Sequence, residues 1–272
     1  MAVVSMNAGR TSEPGLMMSD ELALVPRLTH VVCATPSPVA LAVIYQAIGA
    51  EVDTCGDSLI INIAGSRIEY RPGAQSSGIV TIGFEVDDFD QRLAEIQAPG
   101  IAVTLIGADA SDPDEIRIGT KHANGVEVVV RRASHVVDIG AWTPLRLDHV
   151  ALAVRDLVAA ARVWAALTGV SPHMMGLHPV SNGAFVAARV HVGEQMIELV
   201  SPVKGYDSPL ARRLCSRGDG PAAMALPVHD LDATIGRLAA VGVAVLRPAP
   251  HVMLHPRDTG GVLVQLTPRV EH

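Results

Sequence analysis

Two long segments of this 272-residue chain each occur twice, and this duplication limits the folds that are possible. The first begins at Leu28 as LTHVVCATPSPVALAVIYQAIG and returns at Leu147 as LDHVALAVRDLVAAARVWAALTG. The second begins at Gly78 as GIVTIGFEVDDFDQRLAEIQAPGIAV and returns at Gly220 as GPAAMALPVHDLDATIGRLAAVGVAV. Repetition on this scale indicates that each copy is one supersecondary unit, so the chain is expected to consist of two similar halves.

Each half divides again into two copies of one pattern. A short alternating strand such as DHVALAV is followed by an Asp or Pro turn, an Ala-rich amphipathic helix that ends near a Gly, and further strands. Asp88 and Asp230 stand where a helix N-cap is expected. The predicted unit is therefore β-α-β-β-β, used four times in an α+β fold. The predicted boundaries are a flexible tail at 1–26, an N-terminal domain at 27–133, a linker at 134–145 and a C-terminal domain at 146–272.

Composition and charge narrow the classes of partner. The net charge of −7 is mild and spread along the chain, whereas nucleic acid or an anionic membrane needs a basic surface. No apolar run approaches the roughly 18 residues that span a bilayer, and the N-terminus lacks the basic and apolar regions of a secretory signal. The three scattered Cys residues fit a reducing compartment, and we expect them to be small buried side chains. The sequence thus predicts a cytoplasmic monomer or homodimer that acts on a small molecule.

Four β-α-β-β-β units paired into two domains resemble the vicinal oxygen chelate superfamily, which includes glyoxalase I, extradiol dioxygenases and methylmalonyl-CoA epimerase. The second half is most similar to the epimerase, through LDHVALAVRDL, IELVSP, DSPLARRL and HPRDTGGVLVQL. The first half shares the pattern more loosely, through LTHVVCA, IEYRP and GIVTIGFEV. In that superfamily two units curl into a cup around a divalent metal, which stabilises the oxyanion formed when a proton leaves a carbon beside a carbonyl.

The resemblance assigns four metal-ligand positions to the C-terminal cup. His149 takes the first and Glu198 the second, but the third holds Ala223 where the family has His, and the fourth holds Gln265 where Glu is usual. One imidazole, one carboxylate and one amide oxygen are a weak set for a divalent cation. One alternative is a single metal (Co, Mn, Zn, Fe or Mg) on His149, Glu198 and Gln265, with or without a His from elsewhere. The other is no metal, with His149 hydrogen-bonded to Glu198.

The N-terminal cup departs further from the family's ligand pattern. Its four ligand positions hold His30, Glu69, Thr81 and Val129, so we expect this half to act mainly as a scaffold. The family's epimerases also carry a catalytic carboxylate on the strand before the second ligand, and that position falls near Ala187. A standard methylmalonyl-CoA epimerase is therefore not expected.

Further candidates lie outside the ligand positions. His255 and Arg257 belong to a turn that the family places near the active-site mouth, and Arg257 is a candidate for binding a substrate phosphate or carboxylate. His173 and His178 flank MMGL in an inserted segment, which either lines an apolar pocket or forms a surface loop. The arginine pairs at 131–132 and 212–213 are expected to be solvated.

Three functions follow from these residues. The first is an isomerase or lyase that acts on a small oxygen-rich substrate, such as an acyl-CoA or a 2-oxo compound, with Glu198 as base or ligand and His149 as acid, base or ligand. The second is a metal-free binding protein, similar to the superfamily's antibiotic-sequestering members. The third is an extradiol-type dioxygenase, which requires two His and one carboxylate in one cup. We favour the first, because a binding protein has no need of an acid–base pair in its cup.

Overall fold

The structure is a computed structural model, and it describes residues 26–73, 77–107, 113–133, 145–180, 183–203, 207–247 and 252–269, with the backbone alone at 176–180 and 183–184. The predicted tail and linker lie outside these ranges, apart from Pro26 and Leu145. Within the described ranges, no helix is both long enough and apolar enough to cross a membrane.

The N-terminal half forms one eight-stranded sheet. Its elements are β1 (Arg27–Thr35), a 3-10 turn (Val39–Leu41), α1 (Ala42–Ile48), β2 (Glu51–Cys55), β3 (Ser58–Ile63), β4 (Ser66–Pro72), β5 (Gly78–Val86), α2 (Phe89–Gln97), β6 (Val103–Ile106), β7 (Glu115–Ile118) and β8 (Glu127–Arg132). The strand order is β2-β3-β4-β1-β5-β8-β7-β6. The first and last strands of each unit are parallel, and β1 runs antiparallel to β5 where the two units meet.

The C-terminal half repeats this sheet. Its elements are β9 (His149–Ala153), α3 (Leu157–Thr168), β10 (His173–Val180), β11 (Gly183–Val192), β12 (Gln195–Pro202), α4 (Pro209–Arg217), β13 (Gly220–Val228), α5 (Leu231–Ala240), β14 (Val245–Leu246), β15 (Val252–Leu254) and β16 (Leu263–Pro268). The strand order, β10-β11-β12-β9-β13-β16-β15-β14, is the same as in the first sheet. The prediction of four β-α-β-β-β units is confirmed, with α4 added after the third unit.

The helices begin at the predicted caps. Asp88 accepts a hydrogen bond from Gln91 N, and Asp230 accepts one from Ala233 N, each over 2.9 Å. Ser208 caps α4 in the same way, with Pro209 in its first turn. These bonds satisfy amide groups that the first helical turn leaves without partners, which is why short polar residues mark the helix starts.

Strand alternation gives each sheet two distinct faces. On β12, Ile197 and Leu199 point into the hydrophobic core with the helices, while Glu198 and Val200 point the other way. We call the second face the cup face. In the C-terminal half α4 covers one end of it, where Leu214 packs on a small apolar cluster that includes Ala187.

The two halves share one continuous core. The Phe84 ring on β5 meets the Trp164 ring on α3 edge to face, with centroids 6.0 Å apart. The contact between α1 and α5 adds a hydrogen bond of 2.8 Å from Arg237 Nε to the carbonyl of Ala47. The halves therefore pack as one body, and residues from both can line a single cleft.

Two expectations are wrong. The segment that begins at His173 is not a surface loop, because it pairs with β11 as the edge strand β10. Only Cys33 of the three cysteines is buried. Cys55 is exposed because it ends an edge strand, and Cys215 is exposed on α4.

Candidate functional site

The four predicted ligand positions of the C-terminal half lie on one cup face, in two neighbouring rows that cross the strands. The first row consists of Arg189, Glu198, Ala151, Ala223 and Leu263. The second row consists of His191, Met196, His149, Ala225 and Gln265. Residues directly opposite each other on neighbouring strands share a face, so these side chains face a common space.

His149 and Glu198 each have a charged partner of their own. His149 Nδ1 lies 2.6 Å from Asp148 Oδ2, and Glu198 Oε1 accepts a hydrogen bond from Arg189 Nε over 3.0 Å. The distance from His149 Nε2 to Glu198 Oε2 is 3.9 Å, which is too long for a hydrogen bond. The expectation that His149 and Glu198 bond to each other is therefore wrong, because His149 has a nearer partner in its chain neighbour Asp148 and Glu198 has one in Arg189, which lies opposite it in the strand register.

The contact with Asp148 determines which nitrogen of His149 is available. An ionised carboxylate only accepts hydrogen bonds, so Nδ1 carries the hydrogen and Nε2 of the neutral ring is an acceptor. The hydrogen bond from His149 also holds the pKa of Asp148 below its ordinary value, which keeps this carboxylate ionised. With side chains only 12% and 13% exposed, His149 and Glu198 present an acceptor nitrogen and a carboxylate oxygen side by side, sheltered from bulk water.

Arg189 is the residue that sequence reasoning missed. The feature that could have revealed it is the tight hairpin between β11 and β12, in which Val192 pairs with Gln195 around Gly193. That register puts Arg189 directly opposite Glu198. Residue 187, the position expected to carry a catalytic carboxylate, is a buried Ala on the same face.

The donor atoms present do not fit a divalent metal ion. Ala223 offers no ligand atom, and the Glu198 carboxylate is already bound by a guanidinium. Across the described part of the chain, no group of three or more His, Cys, Asp or Glu side chains converges as a metal site would require. A metal held by two protein ligands and one amide would be weak, since transition metals in proteins generally take three or four strong donors.

The N-terminal cup face is occupied by ion pairs and hydrogen bonds. Arg71 binds Glu69 through two hydrogen bonds of 2.7 and 2.9 Å, and Thr81 donates one of 2.9 Å to Glu127. His30 is only 6% exposed, and burial lowers its pKa to about 4, with the charge of Arg131 adding to the effect. At neutral pH His30 is therefore uncharged.

His255 and Arg257 lie away from the cup rows, in a groove between the two halves. This groove has a volume of about 1140 Å³. One wall is α4, a second is the turn that precedes β16, and the third comes from the N-terminal half through Thr35, Pro36 and Ser77. His255 Nδ1 accepts a hydrogen bond of 3.1 Å from Arg257 N, which fixes the turn. The predicted acid–base pair and the predicted substrate-binding residues are thus two separate groups.

Of the other candidates, His173 is exposed and stands opposite Arg189, whereas the side chain of His178 lies outside the described residues.

Comparison with known proteins identifies the family. A model of the Glyoxalase/Bleomycin resistance protein/Dioxygenase superfamily matches residues 148–258. The human mitochondrial methylmalonyl-CoA epimerase is 31% identical over 134 residues, which are 46% of this chain and 74% of that protein. The chain belongs to this superfamily. The predicted resemblance is therefore confirmed, and the matched part is the C-terminal half of this glyoxalase-superfamily protein.

Two solved structures match nearly the whole length. A variant of 4-hydroxymandelate synthase from Streptomyces coelicolor aligns with a TM-score of 0.66 and 13% identity, over 91% of this chain and 95% of the other. The 2,2',3-trihydroxybiphenyl 1,2-dioxygenase of Sphingomonas wittichii aligns with a TM-score of 0.60 and 16% identity, over 89% and 90%. At these identities the likeness concerns the fold, and it confirms the paired glyoxalase-like architecture of both halves.

Proposed function

We propose that the C-terminal cup catalyses proton transfer at a carbon beside a carbonyl group, as an isomerase or lyase of a small oxygen-rich or acyl-CoA-like substrate. The observation that carries this proposal is the His149–Glu198 pair. The two side chains are 3.9 Å apart on one sheltered face, and each is oriented by a separate charged neighbour. A general base must reach the proton that it removes, and the contact with Asp148 orients the His149 ring on the cup face for that role.

The residues divide the chemistry among them. His149 Nε2 takes the proton from carbon, and Asp148 holds the ring in the tautomer that leaves Nε2 able to accept it. Glu198 Oε2, the carboxylate oxygen that does not accept from Arg189 Nε, stabilises the positive charge that His149 gains with the proton, and His149 returns the proton to the substrate. Return of the proton to the neighbouring carbon of the enolate, or to the opposite face of the same carbon, gives an isomer, whereas departure of a group from the next carbon gives elimination.

Arg189 supplies a positive charge in place of the metal ion, which the incomplete ligand set would bind only weakly. A guanidinium has five N–H donors, and the Nε–H bond to Glu198 leaves the terminal nitrogens available to an enolate oxygen. A fixed cation beside a developing oxyanion lowers the barrier most effectively where water is excluded. Support for a carbonyl substrate also comes from the human relative, whose name describes an epimerase of methylmalonyl-CoA. Ala187 argues against the standard epimerase reaction.

A metal-free small-molecule binding protein is the second candidate. It is favoured by the substitutions in the cup, because Ala223 replaces the third metal ligand and Ala187 stands where the family's catalytic carboxylate is expected. An extradiol-type dioxygenase is a weaker candidate, because Ala223 removes the second His that such a site needs.

Exchange of substrate protons in D₂O separates these candidates. Propionyl-CoA, methylmalonyl-CoA and 2-oxobutyrate would be incubated with the protein, and deuterium incorporation beside the carbonyl would be followed by NMR. We expect exchange with at least one of them, reduced about a hundredfold or more in His149→Gln and Glu198→Gln. His229→Gln and Glu194→Gln, two exposed positions outside the cup, serve as matched controls and should retain the rate. Specific binding of a carbonyl compound with no exchange at any pH would instead establish the binding protein.

A further inference from the structure

We infer that the groove between the two halves binds a diphosphate, or two neighbouring phosphate groups, carried by an extended ligand whose other end enters the C-terminal cup. The assignment of the ligand's other end rests on the proposed function. The phosphate site itself rests on the groove alone.

The groove is rich in positive charge. Four of its lining residues are arginines, Arg212, Arg213, Arg217 and Arg257, and no carboxylate is among the described residues that line it. Guanidinium groups are well suited to phosphate, because their planar donors match two phosphate oxygens at once. The groove is therefore a candidate anion site with several donors on one concave surface.

Two of these four arginines have carboxylate partners, and among the described residues the other two form no ion pair. Arg212 pairs with Asp207 at 2.8 Å, and Arg257 pairs with Asp258 at 3.4 Å. Within the described ranges, Arg213 donates to the backbone carbonyls of Gly218 and Pro221, at 3.2 and 2.6 Å. These bonds hold the guanidinium in place without neutralising it.

Arg217 is the most available of the four. It is exposed and makes no hydrogen bond or ion pair with any residue in the described part of the chain. Burial and the charge of Arg217, one turn further along α4, both lower the pKa of Arg213, so the two guanidiniums repel each other on the same wall of the groove. An anion with two negative charges between them would relieve that repulsion.

Asp219, in the adjoining recess, is the acidic group beside Arg213 and Arg217. Its carboxylate is already engaged, since it accepts hydrogen bonds from Arg155 N and Asn124 Nδ2 over 3.2 Å and lies 3.9 Å from the Arg155 guanidinium. The excess positive charge of the groove therefore persists.

The groove adjoins the cup at Leu263, and its distance from the acid–base pair limits the ligand. Leu263 lines the groove and is also the last residue of the row that contains Glu198. Three strand spacings separate them, which is roughly 14 Å. A small phosphorylated metabolite is too short to reach both places, whereas an acyl group on a long phosphorylated carrier, or a nucleoside diphosphate with an extension, is long enough.

The N-terminal half completes the groove. A side-chain carbon added at Gly261 would come within 2.4 Å of Ser77, so the turn that carries Arg257 lies directly against the other half. Tyr70 OH also donates to the carbonyl of Thr259 in that turn, over 3.3 Å. A half that we predicted to be mainly a scaffold thus has a defined part in ligand binding, because it holds the turn in place and supplies one wall.

Calorimetry on the full-length protein tests the inference with three probes: inorganic pyrophosphate, ADP and coenzyme A. We expect pyrophosphate to bind, more weakly as salt is raised, and Arg217→Gln to reduce its affinity about tenfold, with about a hundredfold loss in Arg217→Gln/Arg257→Gln. Arg217→Lys should retain part of the affinity. Arg162→Gln, an exposed arginine on α3 outside the groove, is the matched control and should bind as the unchanged protein does.

Tighter binding of coenzyme A than of ADP would identify an acyl carrier as the source of the phosphates, and the reverse order would identify a nucleoside diphosphate. Absence of binding for all three probes, or binding that Arg217→Gln/Arg257→Gln leaves unchanged, would overturn the phosphate site. The proposed function fails separately: pyrophosphate binding without any deuterium exchange would leave the groove assigned and the catalytic role refuted. Deuterium exchange without pyrophosphate binding would support the catalytic role and refute the phosphate site.

Discussion

Arg189 Nε donates a hydrogen bond of 3.0 Å to Glu198 Oε1, so a guanidinium contacts the carboxylate that the family resemblance assigns to a metal. The two residues are directly opposite each other on β11 and β12. A cation fixed by the fold and a dissociable metal ion would compete for the same carboxylate. This pairing, together with Ala223, gives the C-terminal cup a built-in positive charge in place of a complete ligand set.

The first prediction concerns recovery of a metal site. Ala223→His with Gln265→Glu restores the family's donors, and adding Arg189→Gln frees Glu198 to bind metal. We expect affinity for Zn²⁺ or Co²⁺ to rise about a hundredfold in the double variant and further in the triple variant, measured by calorimetry. No gain in either would mean that the four positions do not surround one point.

The second prediction concerns Asp148. Its pKa is lowered in the folded protein, so its contact with His149 stabilises the fold above the pKa of the unfolded state and is lost on acidification. Asp148→Asn should therefore lower the free energy of unfolding at pH 7, and the deficit should shrink below about pH 4. Urea unfolding at pH 7 and pH 3 measures both values. A deficit that stays constant between those pH values would contradict an ionic origin.

The third prediction concerns His30. Its folded pKa of about 4 is below the usual 6.5, so the unfolded chain binds a proton first as the pH falls. Stability from this residue is complete above pH 6.5 and is lost as the pH falls towards 4. At pH 5.5 the loss is on the order of 1 kcal/mol relative to pH 7.5. His30→Gln should remove this component from the pH dependence of urea unfolding, while His229→Gln should leave it unchanged.

The fourth prediction concerns the seam between the halves. Gly261→Ala would force a left-handed backbone on Ala and push its methyl group into Ser77. Gly242 has a similar backbone, with φ of +80°, but a methyl group there meets nothing within 4 Å. Gly242→Ala should cost about 1 kcal/mol through backbone strain alone. Gly261→Ala should cost more and should also weaken pyrophosphate binding, as unfolding and calorimetry would record.

Features that depend on near neighbours in the chain were readable from the sequence. Asp88 and Asp230 cap helices because each bonds an amide three residues away, and the strands of the four units follow from local alternation. The same alternation, with the family resemblance, predicts that His149 and Glu198 share one face of the sheet. The prediction of a surface loop at His173 was wrong because the strand there depends on pairing with β11, and that pairing has only a weak local sequence signal.

Sequence alone therefore determined the four units, their pairing into two halves and the face on which the candidate site lies, since a period of two residues and a capping bond act over a few positions. Tertiary structure decided which charges meet. The bond between Arg189 and Glu198 depends on a hairpin register, and the arginine groove depends on residues such as Ser77 and Gly261 that are far apart in the chain. Such contacts arise from how two sheets and their helices fill one core, and no short stretch of sequence contains that information.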